Sequence, residues 1–292
     1  MCLQVTFYGI TITAVEVVLD LIKGQALSFS DIFFHALPSI HHYWYFSAYF
    51  CLFFLMPVLN EIVNKLPRKT LKVVGIFAFI VFSCYTRHKD SVSHLGNGYS
   101  VWWLVILYVF GGYIAKYKPF EHWSTLKCFI GYFASCAITV LTRIGIGFST
   151  RHIYDEIRNI NMFVSYISPT IILSSVFLVQ AFIKLPISKK LSKVIAFLTP
   201  MSFGVYLVHC HPFIFNEVLK HAFVWVVDAP IALGLLEALG AALAIFTVCM
   251  IVDWLRLLLF KVIKMKELSQ IIEKALSRLF TKIFKLTQND NN

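Results

Sequence analysis

The 292-residue chain is 59% hydrophobic and only 14% charged, whereas a soluble globular domain carries about a quarter charged residues, so its composition excludes a water-soluble fold. The net charge of +11 does not indicate nucleic-acid binding, because the charges lie in short gaps between apolar runs and form no basic groove with interleaved aromatic residues. Seven cysteines lie mostly inside apolar segments without ligand spacing, which excludes a zinc site and a disulfide framework.

Long apolar runs predict eight transmembrane helices along the chain. A crossing needs roughly 20 apolar residues, and the run from Val73 to Cys84 lacks the period-two alternation of a barrel strand. We therefore expect an all-α, polytopic transmembrane bundle that forms one domain over residues 1–260. The predicted helices lie at about 2–22, 42–63, 70–86, 100–116, 124–143, 162–184, 194–219 and 229–258.

The distribution of basic residues predicts the orientation of this bundle in a cell membrane. Lysine and arginine accumulate in cytoplasmic loops, and most of them fall on one side when the N-terminus is placed in the cytoplasm. An even number of crossings then makes the C-terminus cytoplasmic as well. Residues 261–292 predict a basic amphipathic helix and tail, with Leu268 and Ile272 on one side and Lys274 and Arg278 on the other. Such a helix binds an anionic inner leaflet, and a calmodulin-like target is the alternative.

Polar residues within the second predicted helix form the first candidate site. His42, Tyr45, Tyr49 and Asn60 fall on one helical face, which would face the interior of the bundle, because polar groups at membrane depth need partners. We interpret Tyr45, Tyr49 and Asn60 as substrate-binding residues. The alternative is an aromatic belt at the outer membrane interface.

The seventh predicted helix repeats this pattern with Ser202, Tyr206 and His209 on one face. Pro200 and Pro212 are expected to bend or break the helix, and a broken helix exposes backbone groups to a cavity. His209 is a candidate base or proton relay, while Ser202 and Tyr206 are candidate substrate-binding residues. An interfacial histidine with a backbone partner is the alternative for His209.

Acidic residues inside the apolar segments are few. Glu16 and Asp20 share a helical face in the first segment, and Glu237 lies inside the eighth. Asp253 and Arg256 stand three residues apart and are expected to pair with each other. A long polar outer loop over residues 145–161 is a second candidate contact for a glycan substrate. The chain contains no nucleophile elbow, phosphate-binding loop or metal-ligand motif.

Three stretches together resemble the acyltransferase 3 family of membrane acyltransferases. The first comprises HYWYFSAYF at residues 42–50 and LMPVLN at residues 55–60. The second comprises GYSVWW at residues 98–103 and YVFGGYIAKY at residues 108–117, and the third is SFGVYLVH at residues 202–209. The order and intervals of these motifs are similar to those of the family.

The resemblance implies transfer of an acyl group, usually acetyl from acetyl-coenzyme A, to a hydroxyl of a cell-surface polysaccharide or glycolipid. No bound cofactor or metal is expected. His42 and His209 are the candidate catalytic residues, and basic inner loops are expected to attract the phosphates of coenzyme A. Family members also carry an arginine and a histidine on a preceding helix that has no counterpart here, so we expect an N-terminally truncated form, with loss of activity as an open alternative. The basic residues expected to attract the phosphates of coenzyme A are Lys116, Lys118, Lys189 and Lys190.

The main alternative from another functional class is a transporter or flippase of a polysaccharide precursor or small molecule. Any bundle of this size with interior polar groups can move a solute, and transporters often carry corresponding broken helices in two halves. The break near Pro200 has no partner in the first half of the sequence, which favours the acyltransferase.

Overall fold

The computed structural model describes residues 1–24, 28–37, 43–85, 95–154, 163–275 and 278, and their regular structure is helical throughout. The π-helical turn Ile80–Tyr85 continues the helix that ends at Phe79, and a second π-helical turn, Ile214–Leu219, follows the helix that ends at His209. Residues 265–275 of the tail are also helical. The α-helices are α1 Cys2–Ile22, α2 Phe29–Ala36, α3 Trp44–Lys65, α4 Arg68–Phe79, α5 Val101–Tyr117, α6 Thr125–Tyr154, α7 Pro169–Lys184, α8 Lys189–His209 and α9 Ile231–Val262.

Five of these helices are long and apolar enough to cross a membrane, namely Cys2–Ile22, Trp44–Lys65, Thr125–Ile153, Lys189–His209 and Ile231–Val262. Two further apolar helices, α5 and α7, are shorter. The predicted all-α membrane bundle is therefore confirmed, while the count of eight crossings and the division at residue 260 stay predictions. The expected outer loop is wrong over residues 145–154, because α6 continues to Tyr154.

The surface of α9 shows why lipid must be the solvent. Leu235, Leu239 and Leu243 each expose 62–66% of their surface along this helix. Burying a leucine side chain contributes roughly 1.5–3 kcal/mol, so such a stripe in water would be strongly unfavourable. A lipid environment removes this penalty, because acyl chains are as apolar as the side chains.

The chain divides into two compact units. The first contains Met1–Tyr43 and Ser188–Asn292, in which α1 packs on α2 and α8, and α8 packs on α9. The second contains Trp44–Ile187, in which α6 packs on α7, and α5 packs on α3 and α4.

Local signals in the sequence set the ends of several helices. Ser188 and Ser100 precede α8 and α5, and their hydroxyl oxygens accept hydrogen bonds from the amides of Leu191 and Trp103 at 3.2 Å. Such caps satisfy amide groups that have no intrahelical partner. Lys184, at the end of α7, donates to the carbonyls of Phe120, Glu121 and Trp123 in the loop between α5 and α6.

A group of four polar residues, which we term the polar anchor, joins α1 to α9. The Arg256 guanidinium donates to both carboxylate oxygens of Asp253, at 2.9 and 2.8 Å. Tyr8 and Gln4 of α1 donate to Asp253 Oδ1 at 2.8 and 3.0 Å. Asp253 is fully buried and Arg256 is 7% exposed. The predicted pairing of Asp253 with Arg256 is confirmed, and α1 supplies the additional donors that a buried carboxylate requires.

Gly204 of α8 makes room for this anchor. A methyl group at Gly204 would overlap the Asp253 carboxylate. The glycine therefore lets α8 and α9 approach closely, as small residues do in membrane helix pairs.

We predict that Gly204→Ala destabilises the protein by about 1–3 kcal/mol, the usual cost of overpacking a close-packed interior, because the carboxylate must move away from its donors. The measurement is the thermal unfolding midpoint of the purified protein in detergent. Gly240→Ala on α9 is the matched control, since a methyl group added at Gly240 would have no atom of the described residues within 4 Å. Equal midpoints for the two variants would contradict the role of Gly204.

Candidate functional site

A second polar group in the first unit, which we term the histidine cluster, consists of Thr13, Glu16, His35, Tyr43 and His211. Its central contact is between α1 and α2, where His35 Nδ1 lies 2.9 Å from Glu16 Oε2 and 3.2 Å from Oε1. The Glu16 side chain is only 7% exposed and that of His35 20%. Both groups are thus largely removed from water, and their contact satisfies the carboxylate inside an apolar segment.

The contact with Glu16 determines which nitrogen of His35 is basic. Because a carboxylate only accepts hydrogen bonds, Nδ1 carries the proton that lies between the two groups. Nε2 is then the nitrogen of the neutral ring that accepts a proton. A carboxylate in this position orients the imidazole and stabilises the imidazolium that forms during proton transfer.

His211 lies just beyond α8 and is fully buried. The Phe213 amide donates to its Nδ1 at 3.3 Å, and its Nε2 lies 3.4 Å from the Thr13 hydroxyl oxygen. An accepting Nδ1 leaves the proton on Nε2 in the neutral ring, so Nε2 donates to Thr13. The ring centroids of His211 and His35 are 6.2 Å apart, which places both imidazoles in one polar region.

Tyr43 closes the cluster from the segment before α3. Its ring lies 6.5 Å from that of His211, and its hydroxyl donates to the Leu207 carbonyl at 2.9 Å. Leu207 belongs to the last turn of α8, where carbonyls lack intrahelical partners. The tyrosine is 1% exposed, so it both fills the interior and satisfies the end of the helix.

Of the two histidines that the sequence suggested as catalytic residues, the structure describes one. His42 lies outside the described residues. His209 ends α8, where its Nδ1 lies 2.6 Å from the Val205 carbonyl oxygen and its Nε2 lies 3.3 Å from Cys210 Sγ. The backbone contact agrees with the alternative of an interfacial histidine, while Nε2 remains the nitrogen with which His209 would accept a proton. Its catalytic role stays a prediction.

The expected substrate-binding residues fall into separate groups. Tyr45 and Tyr49 stack on each other in α3 with centroids 6.2 Å apart, and Asn60 near the end of that helix accepts a hydrogen bond from Tyr108 at 2.9 Å. In α8, the Tyr206 ring lies 6.4 Å from His209, while Ser202 donates to the Thr199 carbonyl at 2.8 Å. The structure thus brings Tyr45 to Tyr49 and Tyr206 to His209. Ser202 has a partner in its own helix, and the partner of Asn60 lies on α5.

The four lysines that were expected to bind coenzyme A differ in their hydrogen bonds and surroundings. Lys116 donates to the carbonyls of Val63 and Asn64 at 2.8 and 2.9 Å, which caps the end of α3. Lys118 ends α5 in the left-handed region at φ 42°. Lys189 and Lys190 are exposed in the first turn of α8, where the helix dipole adds positive potential.

The patterns in the sequence did not select His35 or His211, and they placed Tyr43 only within the motif at residues 42–50. His35 lies on a short helix between two predicted crossings, so no apolar run drew attention to it. His211 follows His209 by two residues and lies beyond the end of the helix, so it was not part of the predicted polar face. The available signal was the carboxylate at Glu16, which an apolar helix retains only with a partner.

Comparison with known proteins gives one match. A family model described as an acyltransferase domain matches residues 3–254, which contain the whole histidine cluster and every member of the polar anchor apart from Arg256. No curated protein and no solved structure matches the chain.

We predict that Tyr43→Phe lowers the stability of the protein by about 1–3 kcal/mol, because the buried Leu207 carbonyl loses its donor. The thermal unfolding midpoint in detergent measures this change. Tyr113→Phe serves as the control, since the Tyr113 hydroxyl has no hydrogen-bond partner in the described part of the chain. A Tyr43→Phe midpoint equal to that of the control would show that the hydroxyl does not stabilise the end of α8.

Proposed function

This chain belongs to the acyltransferase 3 family, and we propose that it is a membrane O-acyltransferase that transfers an acyl group from acyl-coenzyme A to a hydroxyl of a cell-surface polysaccharide or glycolipid. Acetyl is the proposed acyl group. The observation that supports a catalytic role for the first unit is the buried contact between Glu16 and His35, 2.9 Å long, within the part of the chain that matches the family.

The reaction defines what the site must supply. The hydroxyl oxygen of the sugar attacks the thioester carbonyl carbon, a C–O bond forms, and the C–S bond breaks to release coenzyme A. The hydroxyl proton passes to a base and then to the leaving thiolate. A hydroxyl is a weak nucleophile at neutral pH, so a positioned base lowers the barrier.

In the proposed mechanism His35 is the base, because its Nε2 accepts a proton while Nδ1 remains bound to Glu16. Glu16 is a positioning residue that orients the ring and stabilises the imidazolium. The buried contact between His211 and Thr13 holds a second imidazole near the first. His209 and His42 remain candidates for the same proton transfer, and Tyr45, Tyr49, Asn60, Ser202 and Tyr206 remain candidates for substrate binding.

The acyl donor is proposed to bind at the start of α8. Coenzyme A carries several phosphate charges, and Lys189 and Lys190 are exposed on the predicted cytoplasmic side beside the positive end of the helix dipole. Lys116 is a weaker candidate, because its ammonium already donates to two carbonyls. Lys118 is exposed at the end of α5 and remains available for a phosphate contact.

We predict that His35→Gln lowers kcat for acyl transfer by about 100-fold or more, the usual contribution of general base catalysis. Glu16→Gln should lower kcat by a smaller factor, because the base remains but loses its orientation. The measurement is ester-linked acyl incorporation into purified surface glycan by the protein in nanodiscs. Asp20→Asn is the matched control, since Asp20 is a second carboxylate on the same helix. Unchanged kcat in His35→Gln combined with a loss in His209→Gln would assign the base to His209 instead.

We also predict that the double variant Lys189→Glu, Lys190→Glu raises the KM for acyl-coenzyme A about tenfold, which corresponds to about 1.4 kcal/mol. Reversed charge would repel the phosphates, and kcat at saturation should change little. Steady-state kinetics at low ionic strength provide the measurement, because added salt screens this attraction. Lys23→Glu is the control on the predicted opposite side of the membrane. A KM equal to that of the control would exclude this donor site.

A further inference from the structure

Three aromatic rings meet in the second unit, and we term this group the aromatic platform. Trp44 begins α3, Tyr99 precedes α5 and Tyr166 precedes α7. The ring centroids are 4.5 Å apart for Trp44 and Tyr99, 5.1 Å for Tyr99 and Tyr166, and 5.9 Å for Trp44 and Tyr166. Tyr99 and Tyr166 are 53% and 48% exposed. Residues from three separate segments thus present an open aromatic surface at one end of this unit.

The backbone beneath the platform holds these rings in place. Gly98 has φ +102°, and a methyl group there would overlap Cβ of Tyr166. The glycine therefore allows the two tyrosine-bearing loops to touch, in a conformation that other residues rarely adopt. Each loop is closed by a backbone hydrogen bond, Gly98 N to Leu95 O at 2.8 Å and Ser168 N to Ser165 O at 2.9 Å.

A buried apolar cluster supports the same loops. It includes Ile167, directly after Tyr166, and two residues four positions to either side of Tyr99. Its members, with exposures of 1–9%, are Leu95, Trp103, Ile167 and Ile172. Side chains that are already fixed lose little conformational entropy when a ligand binds. The platform is therefore a preorganised surface.

An interfacial aromatic belt does not account for this arrangement. A belt residue needs only an amphipathic ring at the depth of the lipid headgroups, and a single exposed ring such as Trp102, which is 62% exposed, meets that need. A belt requires neither convergence of three segments nor a glycine in the left-handed region. Both features point to a ligand that contacts several rings at once.

We propose that the aromatic platform binds a sugar ring of the acceptor glycan. One face of a pyranose presents C–H groups with partial positive charge, which pack on the negative face of an aromatic ring. The tyrosine hydroxyls and the exposed amide of Asn97, two residues before Tyr99, supply donors and acceptors for sugar hydroxyls. The three segments end on the predicted outer side of the membrane, where a surface glycan is found. This inference rests on the proposed function and specifies how its acceptor is held.

The test is a binding titration of the protein in nanodiscs with surface glycan from which mild alkali has removed the ester groups, in the absence of acyl-coenzyme A. Tyr166→Ala and Tyr99→Ala should each weaken glycan binding about tenfold or more, and Tyr166→Phe should restore most of it, because the ring carries the contact. Trp102→Ala is the matched control and should bind as the wild type does. In a parallel transfer assay, Tyr166→Ala should raise the KM for glycan and leave the KM for acyl-coenzyme A unchanged.

Two outcomes would overturn the proposal that the platform binds glycan. The first is that the wild type binds no glycan, and the second is that Tyr166→Ala, Tyr99→Ala and Trp102→Ala bind it with equal affinity at unchanged unfolding midpoints. A wild type that binds glycan through these rings and transfers no acyl group would contradict the proposed function while supporting the platform. The binding arm and the transfer arm thus separate the two proposals.

Discussion

Polar groups at membrane depth must find partners within the protein, and the carboxylate of Asp253 shows this constraint most clearly. It receives two hydrogen bonds from Arg256 and one each from Tyr8 and Gln4. The hydrophobic effect does not bring helices together in lipid, because acyl chains solvate leucine as well as another helix does, so close packing and interhelical hydrogen bonds hold them. The polar anchor therefore selects the arrangement of α1, α8 and α9. That arrangement in turn sets Thr13 and Glu16 of α1 opposite the residues that complete the histidine cluster.

The first unit thus contains two carboxylate centres with different chemical character. Asp253 accepts four hydrogen bonds, two of them from a guanidinium, so it is suited to holding helices together. Glu16 contacts the His35 imidazole, a ring whose two nitrogens can donate and accept a proton. In the proposed mechanism Asp253 therefore stabilises the helix arrangement, while Glu16 positions His35 as the base. The aromatic platform would add acceptor recognition in the second unit.

Periodic and local features of the sequence predicted much of the fold. A helix lies at each predicted crossing, and the pairing of Asp253 with Arg256 follows from residues three apart on one helix. The donors from Gln4 and Tyr8 were not predictable, because they lie 249 and 245 residues away from Asp253 along the chain. His35 was missed because its eight-residue helix is too short to cross a membrane. The motifs that indicated the family were local, whereas the contacts of the candidate site join distant segments.

The proposed function requires that a membrane-spanning chain carries an acyl group to a glycan, and a transfer assay in sealed vesicles measures this reaction. The wild-type protein would be reconstituted in proteoliposomes with labelled acetyl-coenzyme A on the side of Lys189 and Lys190 and de-esterified surface glycan on the other side. Labelled glycan whose label is released by mild alkali is expected with the protein, and none is expected in vesicles without it. Glycan that stays unlabelled, even when both substrates are supplied on both sides, would contradict acyl transfer by this protein.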